Sequence, residues 1–292
     1  MSLINNPSIL LTFDVEDWFQ VENFKEYISF STWNSFELRV EKNTHKILDL
    51  LDSFSFKPRA TFFILGWIAE KLPELVRQIH ERGHEVASHG NDHHLCRSLT
   101  ESGLIMDLKS SKERLETIIQ SKVYGFRAPS FALDDKVLQS IAQAGYRYDS
   151  SYNSFSAHGR YGKIDLSSAK HSNALYQISK DFYELPVSNL KIKDTVIPLG
   201  GGGYFRLFPF SLFKFGIASV LKKDKAFVFY AHPWEFDPSQ PRVDQASRGS
   251  KFRHYINLQR TEKKLRALIS AFDDHEFITC ADYIDRQIYL EM

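Results

Sequence analysis

Leu10-Leu11-Thr12-Phe13-Asp14-Val15-Glu16-Asp17-Trp18 decides how this chain reads. An apolar run ends abruptly in three carboxylates and a tryptophan. A strand covered on both faces reads as nearly continuous apolar sequence, so the run predicts a buried strand. The acids then sit at its C-terminal end, where α/β barrels and open α/β sheets carry their chemistry. Side chains alternate along an extended chain, which puts Asp14 and Glu16 on one face and Asp17 on the other. An acidic loop capping the next segment is the plainer reading of the same residues.

The same punctuation recurs further along. Residues 59–65, 84–88, 123–127, 146–149, 182–187, 195–198, 226–231 and 277–280 read as strands. Helical spacing predicts helices over 40–54, 67–82 (closed by Gly83), 98–120, 134–145, 208–220 and 253–272. Residues 150–180 are polar and weakly patterned, a long surface excursion. Strand alternating with helix argues for a mostly parallel α/β sheet. Asp14, His89, Arg127, Asp149 and His232 each stand at the end of a strand-like run, and together they predict a functional C-terminal rim.

Bulk composition sets bounds. The 292 residues are 43% hydrophobic and 25% charged, enough apolar material for one large core. A net charge of +1 gives no bulk case for nucleic acid or anionic membrane as partner. Aromatics are plentiful, and some can line a sugar groove. Two cysteines, Cys96 and Cys280, in unrelated contexts argue against a disulfide framework or a cysteine zinc site. Residues 1–8 lack a basic region followed by an apolar one, and no run approaches the ~18 apolar residues of a membrane span. The expectation is a cytoplasmic protein without stable membrane insertion.

His89 and His93 lie four apart, the spacing that shares a face on a helical turn. Two imidazoles and a carboxylate form an open metal site, with Glu16 the first candidate for the acid and Asp17 the alternative. Such an ion acidifies water and polarises a carbonyl. Amide hydrolysis also needs a base and an acid. Asp14 suits the base, with Arg127 favouring its charged form, and His232 suits the acid. Taken singly, each has an ordinary reading: a capping or core histidine, a structural salt bridge, a buried strand-end histidine.

Thr12-Phe13-Asp14, Ser88-His89-Gly90-Asn91-Asp92-His93, Arg127-Ala128-Pro129-Ser130 and Ala231-His232-Pro233 occur in the order and approximate spacing of the NodB-type polysaccharide deacetylases, carbohydrate esterase family 4. Ala60-Thr61-Phe62-Phe63 and Gly83-His84-Glu85-Val86 also resemble that family, and the ordered set covers residues 9 to 235. Gly201-Gly202-Gly203-Tyr204-Phe205-Arg206 and the stretch from Trp234-Glu235-Phe236-Asp237-Pro238 to Arg253-His254-Tyr255 resemble its subgroup from exopolysaccharide and exosortase gene clusters.

The resemblance implies a distorted (β/α) barrel of the NodB/glycoside hydrolase-deacetylase type with fewer than eight repeats. It implies one deacetylase domain over 1–292, with 236–292 as a C-terminal extension packed on the barrel. It also implies a metal-dependent hydrolase removing N-acetyl groups from amino sugars of a surface or exopolysaccharide, or its precursor. Asp14 would be base, Arg127 its partner, His232 the acid, and His89 and His93 ligands of one divalent ion, zinc first and cobalt, nickel or manganese as alternatives. The backbone N–H of Ser130 would stabilise the oxyanion. Trp18, Tyr204 and Trp234 are expected to bind the sugar, since flat apolar faces stack on pyranose rings.

Two departures from the family pattern stand out. The usual acid pair is adjacent, whereas here it reads Asp14-Val15-Glu16, which resembles the branch with peptidoglycan deacetylases and allantoinase-like amidases. That keeps a small-molecule amidase as the alternative, and a non-catalytic carbohydrate-binding protein as a second. The motif that orients the acid is matched only loosely by Asp149-Ser150-Ser151, so the partner of His232 stays open.

Overall fold

A computed structural model describes residues 6–155 and 161–291. Residues 1–5 of the amino-terminal stretch and 156–160 of the polar excursion lie outside the described residues. The order runs β1 (Ser8–Val15), α1 (Val40–Asp52), β2 (Ala60–Ile64), α2 (Gly66–Lys71), α3 (Pro73–Glu81), β3 (Glu85–Ser88), α4 (Glu101–Ile119), β4 (Gly125–Phe126), α5 (Asp135–Gln143) and β5 (Tyr148–Asp149). It continues through β6 (Lys170–Ser172), β7 (Leu175–Ser179), β8 (Phe182–Glu184), β9 (Asn189–Ile192), β10 (Thr195–Pro198), α6 (Gly202–Leu207), α7 (Phe210–Asp224) and β11 (Ala226–Ala231). The chain closes with α8 (Arg248–Tyr255), α9 (Thr261–Ala271), β12 (Glu276–Phe277) and α10 (Cys280–Glu291).

The main sheet pairs in the order β11-β1-β2-β3-β4-β5-β8-β7-β6, parallel from β11 to β8, with β12 also on β1. Every residue of β1, β2 and β11 is buried, which is why these strands read as unbroken apolar runs. β1 lies between β11 and β2, so the acids after Thr12 emerge at the rim flanked by both of those strands. Beyond β8 the chain returns toward β11, where the Ser188 N–H donates to the Val228 carbonyl (3.2 Å). This is the expected α/β architecture of parallel strands wound with helices.

Several element boundaries differ from the sequence reading. The helix over 67–82 is two helices, because Pro73 lacks a donor and holds Leu72 outside helical geometry (φ −132°, ψ 58°). The helix over 253–272 is likewise broken: Asn257 is left-handed (φ 52°) and donates from Nδ2 to the Arg206 carbonyl. Within the polar excursion, β6 and β7 form an antiparallel pair at the sheet's edge. Cys96 and Cys280 are free and buried.

Candidate active site

β1 delivers the acids to a cavity of about 220 Å³ above the strand ends, lined by Asp14, Glu16, His89, His93, Ser130 and His232 among others. Arg127, fully buried after β4, donates from Nη1 to Asp14 Oδ1 (2.7 Å) and to Thr12 Oγ1 (2.6 Å). Its other nitrogens are held by Ser150: Nε on the carbonyl and Nη2 on the hydroxyl, both 2.9 Å. Arg127 therefore fixes where Asp14 points.

Glu16, His89 and His93 bring one donor atom each within 4.8 Å of one another, all buried. Glu16 Oε2 and His93 Nε2 approach to 2.7 Å, yet Oε2 has no aligned hydrogen-bond donor. A buried carboxylate and two imidazoles that converge on one point fit a cation. The Nδ1 of His89 lies 2.8 Å from the Arg127 carbonyl, so it is the protonated nitrogen and Nε2 keeps a lone pair for the cluster. Burial pushes the His89 pKa down to about 4, the neutral form that ligates. Burial works against the charge of Glu16 too, but His93 and His232 outweigh it and bring it down to about 2.

The expectation of a helical turn for His89 and His93 fails. Gly90 (φ 78°) and His93 (φ 55°) are left-handed, and a loop brings the two rings to 5.5 Å. Asp17 is not part of the cluster. Its carboxylate accepts backbone N–H bonds from Trp18 (2.8 Å), Arg39 (2.6 Å) and Val40 (2.8 Å), bracing the start of α1. Burial pushes its pKa up to about 6.

His232 follows β11 and faces the carboxylates, its Nε2 lying 3.5 Å from Glu16 Oε1 and 3.9 Å from Asp14 Oδ2. Its Nδ1 lies 2.8 Å from Glu235 Oε1, and Glu235 Oε2 accepts from Arg206 Nε (2.6 Å). Burial opposes the charge on His232, but Glu16, Glu235 and Asp14 more than offset it and raise its pKa to about 9. The partner left open by the sequence is thus Glu235, one helical turn past His232. Asp149 does not serve: it accepts from the Ser151 hydroxyl (2.6 Å), which in turn accepts from the Ala128 N–H (2.7 Å), bracing the loop behind Arg127. Sequence reasoning missed Glu235 and Arg206, although the spacing His232-Pro233-Trp234-Glu235 was the available signal.

Of the expected sugar-binding aromatics, Trp18 stands away from the cavity and Trp234 meets it only by an edge. Trp18 is buried against Phe19 and Phe36 (centroids 5.6 and 5.3 Å) and does not line the cavity. Trp234 lines it by an edge, since its faces are stacked on His232 (5.1 Å) and His254 (4.0 Å). Its Nε1 donates to Glu16 Oε1 (3.2 Å), leaving Oε2 to the cluster. Tyr204 lines the cavity, and so does Ser130, in a left-handed turn (φ 55°).

Comparison with known proteins divides the chain in two. Residues 5–148 match the polysaccharide deacetylase family, and residues 150–285 match a domain of unknown function, DUF3473. A peptidoglycan-N-acetylglucosamine deacetylase of Bacillus cereus is 31% identical over 104 residues, 36% of this chain and 47% of the relative. A peptidoglycan deacetylase-like protein of Gibberella zeae is 28% identical over 112 residues, 38% of this chain and 33% of the relative. The chain thus spans half or less of those relatives' lengths. A solved structure from Mycobacterium smegmatis, described as a polysaccharide deacetylase, has the same fold (TM-score 0.61, 18% identity, covering 99% of this chain and 92% of the other). Asp14, Glu16, His89, His93 and Arg127 fall in the first matched segment, and Arg206, His232, Trp234 and Glu235 in the second. Residues 5–148 are thus similar to polysaccharide deacetylases, and residues from both matched segments line the cavity.

Proposed function

We propose that this chain is a metal-dependent N-deacetylase acting on N-acetylated amino sugars of a surface polysaccharide or exopolysaccharide, or its precursor, as one domain in which residues 236–292 pack on the barrel. The carrying observation is the convergence of Asp14, Glu16, His89, His93 and His232 on a single cavity. Glu16, His89 and His93 are the residues that hold one divalent ion, zinc first by donor set. When bound, such an ion polarises an amide carbonyl and acidifies water. Asp14, fixed by Arg127, accepts the proton of the attacking water at Oδ2, the oxygen on the His232 side. His232, held at Nδ1 by Glu235, gives its Nε2 proton to the leaving nitrogen. The Ser130 N–H meets the developing oxyanion. Tyr204 and the α8 wall give the site an apolar face larger than a small ureide requires, which favours a glycan over an allantoin-like substrate.

The test is acetate release from N-acetylated oligosaccharides alongside metal content of the same sample. Chelation that removes the ion should abolish release, and re-addition should restore it. Full activity after verified metal removal, or preference for allantoin, overturns the reading.

A further inference from the structure

The outer wall of the cavity carries a surface that this chemistry does not use. Leu207 and Phe252 stand at the cavity's mouth, 43% and 58% exposed. Three residues past Leu207, α7 begins. Its inner stripe of Phe213, Gly216, Ile217, Val220 and Leu221 is buried. Its outer stripe presents Leu212 and Phe215, 64% and 68% exposed. β9 packs against α7 and ends in Ile192, also half exposed. Single exposed apolar residues are ordinary, but a run of them along one wall marks a contact site.

The charges around these residues say what kind of contact. Lys214, Lys222 and Lys223 on α7 and Lys191 and Lys193 on the β9–β10 hairpin are exposed, against Asp194 and Asp224. Protein interfaces deplete lysine, whereas a helix lying in a membrane interface pairs Leu and Phe with lysines. The whole chain's net charge of +1 does not weigh against this. Charges act at a surface only within a Debye length of about 8 Å, so the local excess decides.

We propose that the outer face of α7, with the β9–β10 hairpin and the mouth residues Leu207 and Phe252, docks this protein on an anionic lipid surface. Leu212 and Phe215 enter the headgroup boundary, and the lysines meet anionic headgroups. No helix is long and apolar enough to cross a membrane among the described residues.

Flotation of the full chain with vesicles tests it without reference to catalysis. The protein should float with vesicles of phosphatidylglycerol in phosphatidylcholine, stay behind with phosphatidylcholine alone, and be released by salt. Lys222→Ala and Lys223→Ala should each weaken binding about fivefold. Leu212→Ser and Phe215→Ser should each weaken it about tenfold. All four side chains are exposed, and circular dichroism verifies that the fold is kept. Failure of the wild type to float with anionic vesicles overturns the proposal, as does equal flotation of all four variants. Self-association that Phe215→Ser abolishes, without vesicle binding, assigns the face to a second copy and equally overturns it.

Discussion

Each side chain to which we assign a step is aimed by a second one. Glu16 has Oε1 held by the Trp234 indole, which leaves Oε2 for the ion we propose. Partners of metal ligands typically contribute about 10–100-fold in affinity. Trp234→Phe keeps a ring in the stack and removes the N–H, so metal affinity should fall by about tenfold, read by competition with a chromophoric chelator. Equal affinity would leave Trp234 as packing only. Glu235 plays the corresponding part for His232. Glu235→Gln keeps the shape but lets His232 turn, and the rate should fall about 100-fold with metal content unchanged. These partners were hard to read in the sequence because pairing across the fold is a tertiary fact. Asp14, His89 and His232 each announce themselves by ending an apolar run, whereas Arg206 is made relevant only by the burial of Glu235 beside it.

Loops between elements set the precision of the cluster. The loop after β3 is clamped by α2: the Gly66 and Trp67 N–H groups donate to the carbonyls of Gly90 (2.8 Å) and Asn91 (2.9 Å). From the other side Asp107 of α4 accepts from the Asn91 N–H (3.1 Å). A Cβ on Gly66 would lie 2.3 Å from Asn91 Oδ1 and 3.2 Å from its Cα. Gly66→Ala should therefore shift His93 and weaken metal binding while the fold remains, which metal titration beside a melting curve would show. That clamp explains why the His89–His93 spacing was legible and its conformation was not, since φ at His93 is fixed by neighbours remote in sequence. His84 ties two strands, its Nδ1 accepting from the Ala60 N–H (3.2 Å). Burial lowers its pKa from 6.5 to about 4. Between those values the unfolded chain takes up a proton that the folded chain refuses, so stability falls as pH drops from 6.5 to 4. The loss is about 3 kcal/mol at about 1.4 kcal/mol per unit. His84→Gln keeps an acceptor but does not titrate, and should show a correspondingly smaller loss in urea unfolding at the two pH values.

The two matched segments, 5–148 and 150–285, share one sheet rather than two. β1 pairs with β11 from Ser8↔Ala226 to Phe13↔Ala231, so the strand that delivers Asp14 and Glu16 has its other side in the second segment. Cutting the chain at 149 would expose that edge along its length, with its unpaired N–H and C=O groups and the apolar side chains that β11 and α7 cover. An exposed apolar edge strand is a template for aggregation, and the lost burial far exceeds the 5–15 kcal/mol by which a domain is stable. A fragment ending at residue 149 should therefore fail to fold, giving insoluble or unstructured chain by circular dichroism. The full chain should unfold in a single transition, with fluorescence of the four tryptophans, from Trp18 in the first segment to Trp234 in the second, following the same curve as circular dichroism. Two separated transitions, or a soluble folded fragment that binds metal through Glu16, His89 and His93, would show that the first segment stands alone and that the second segment is an addition to it.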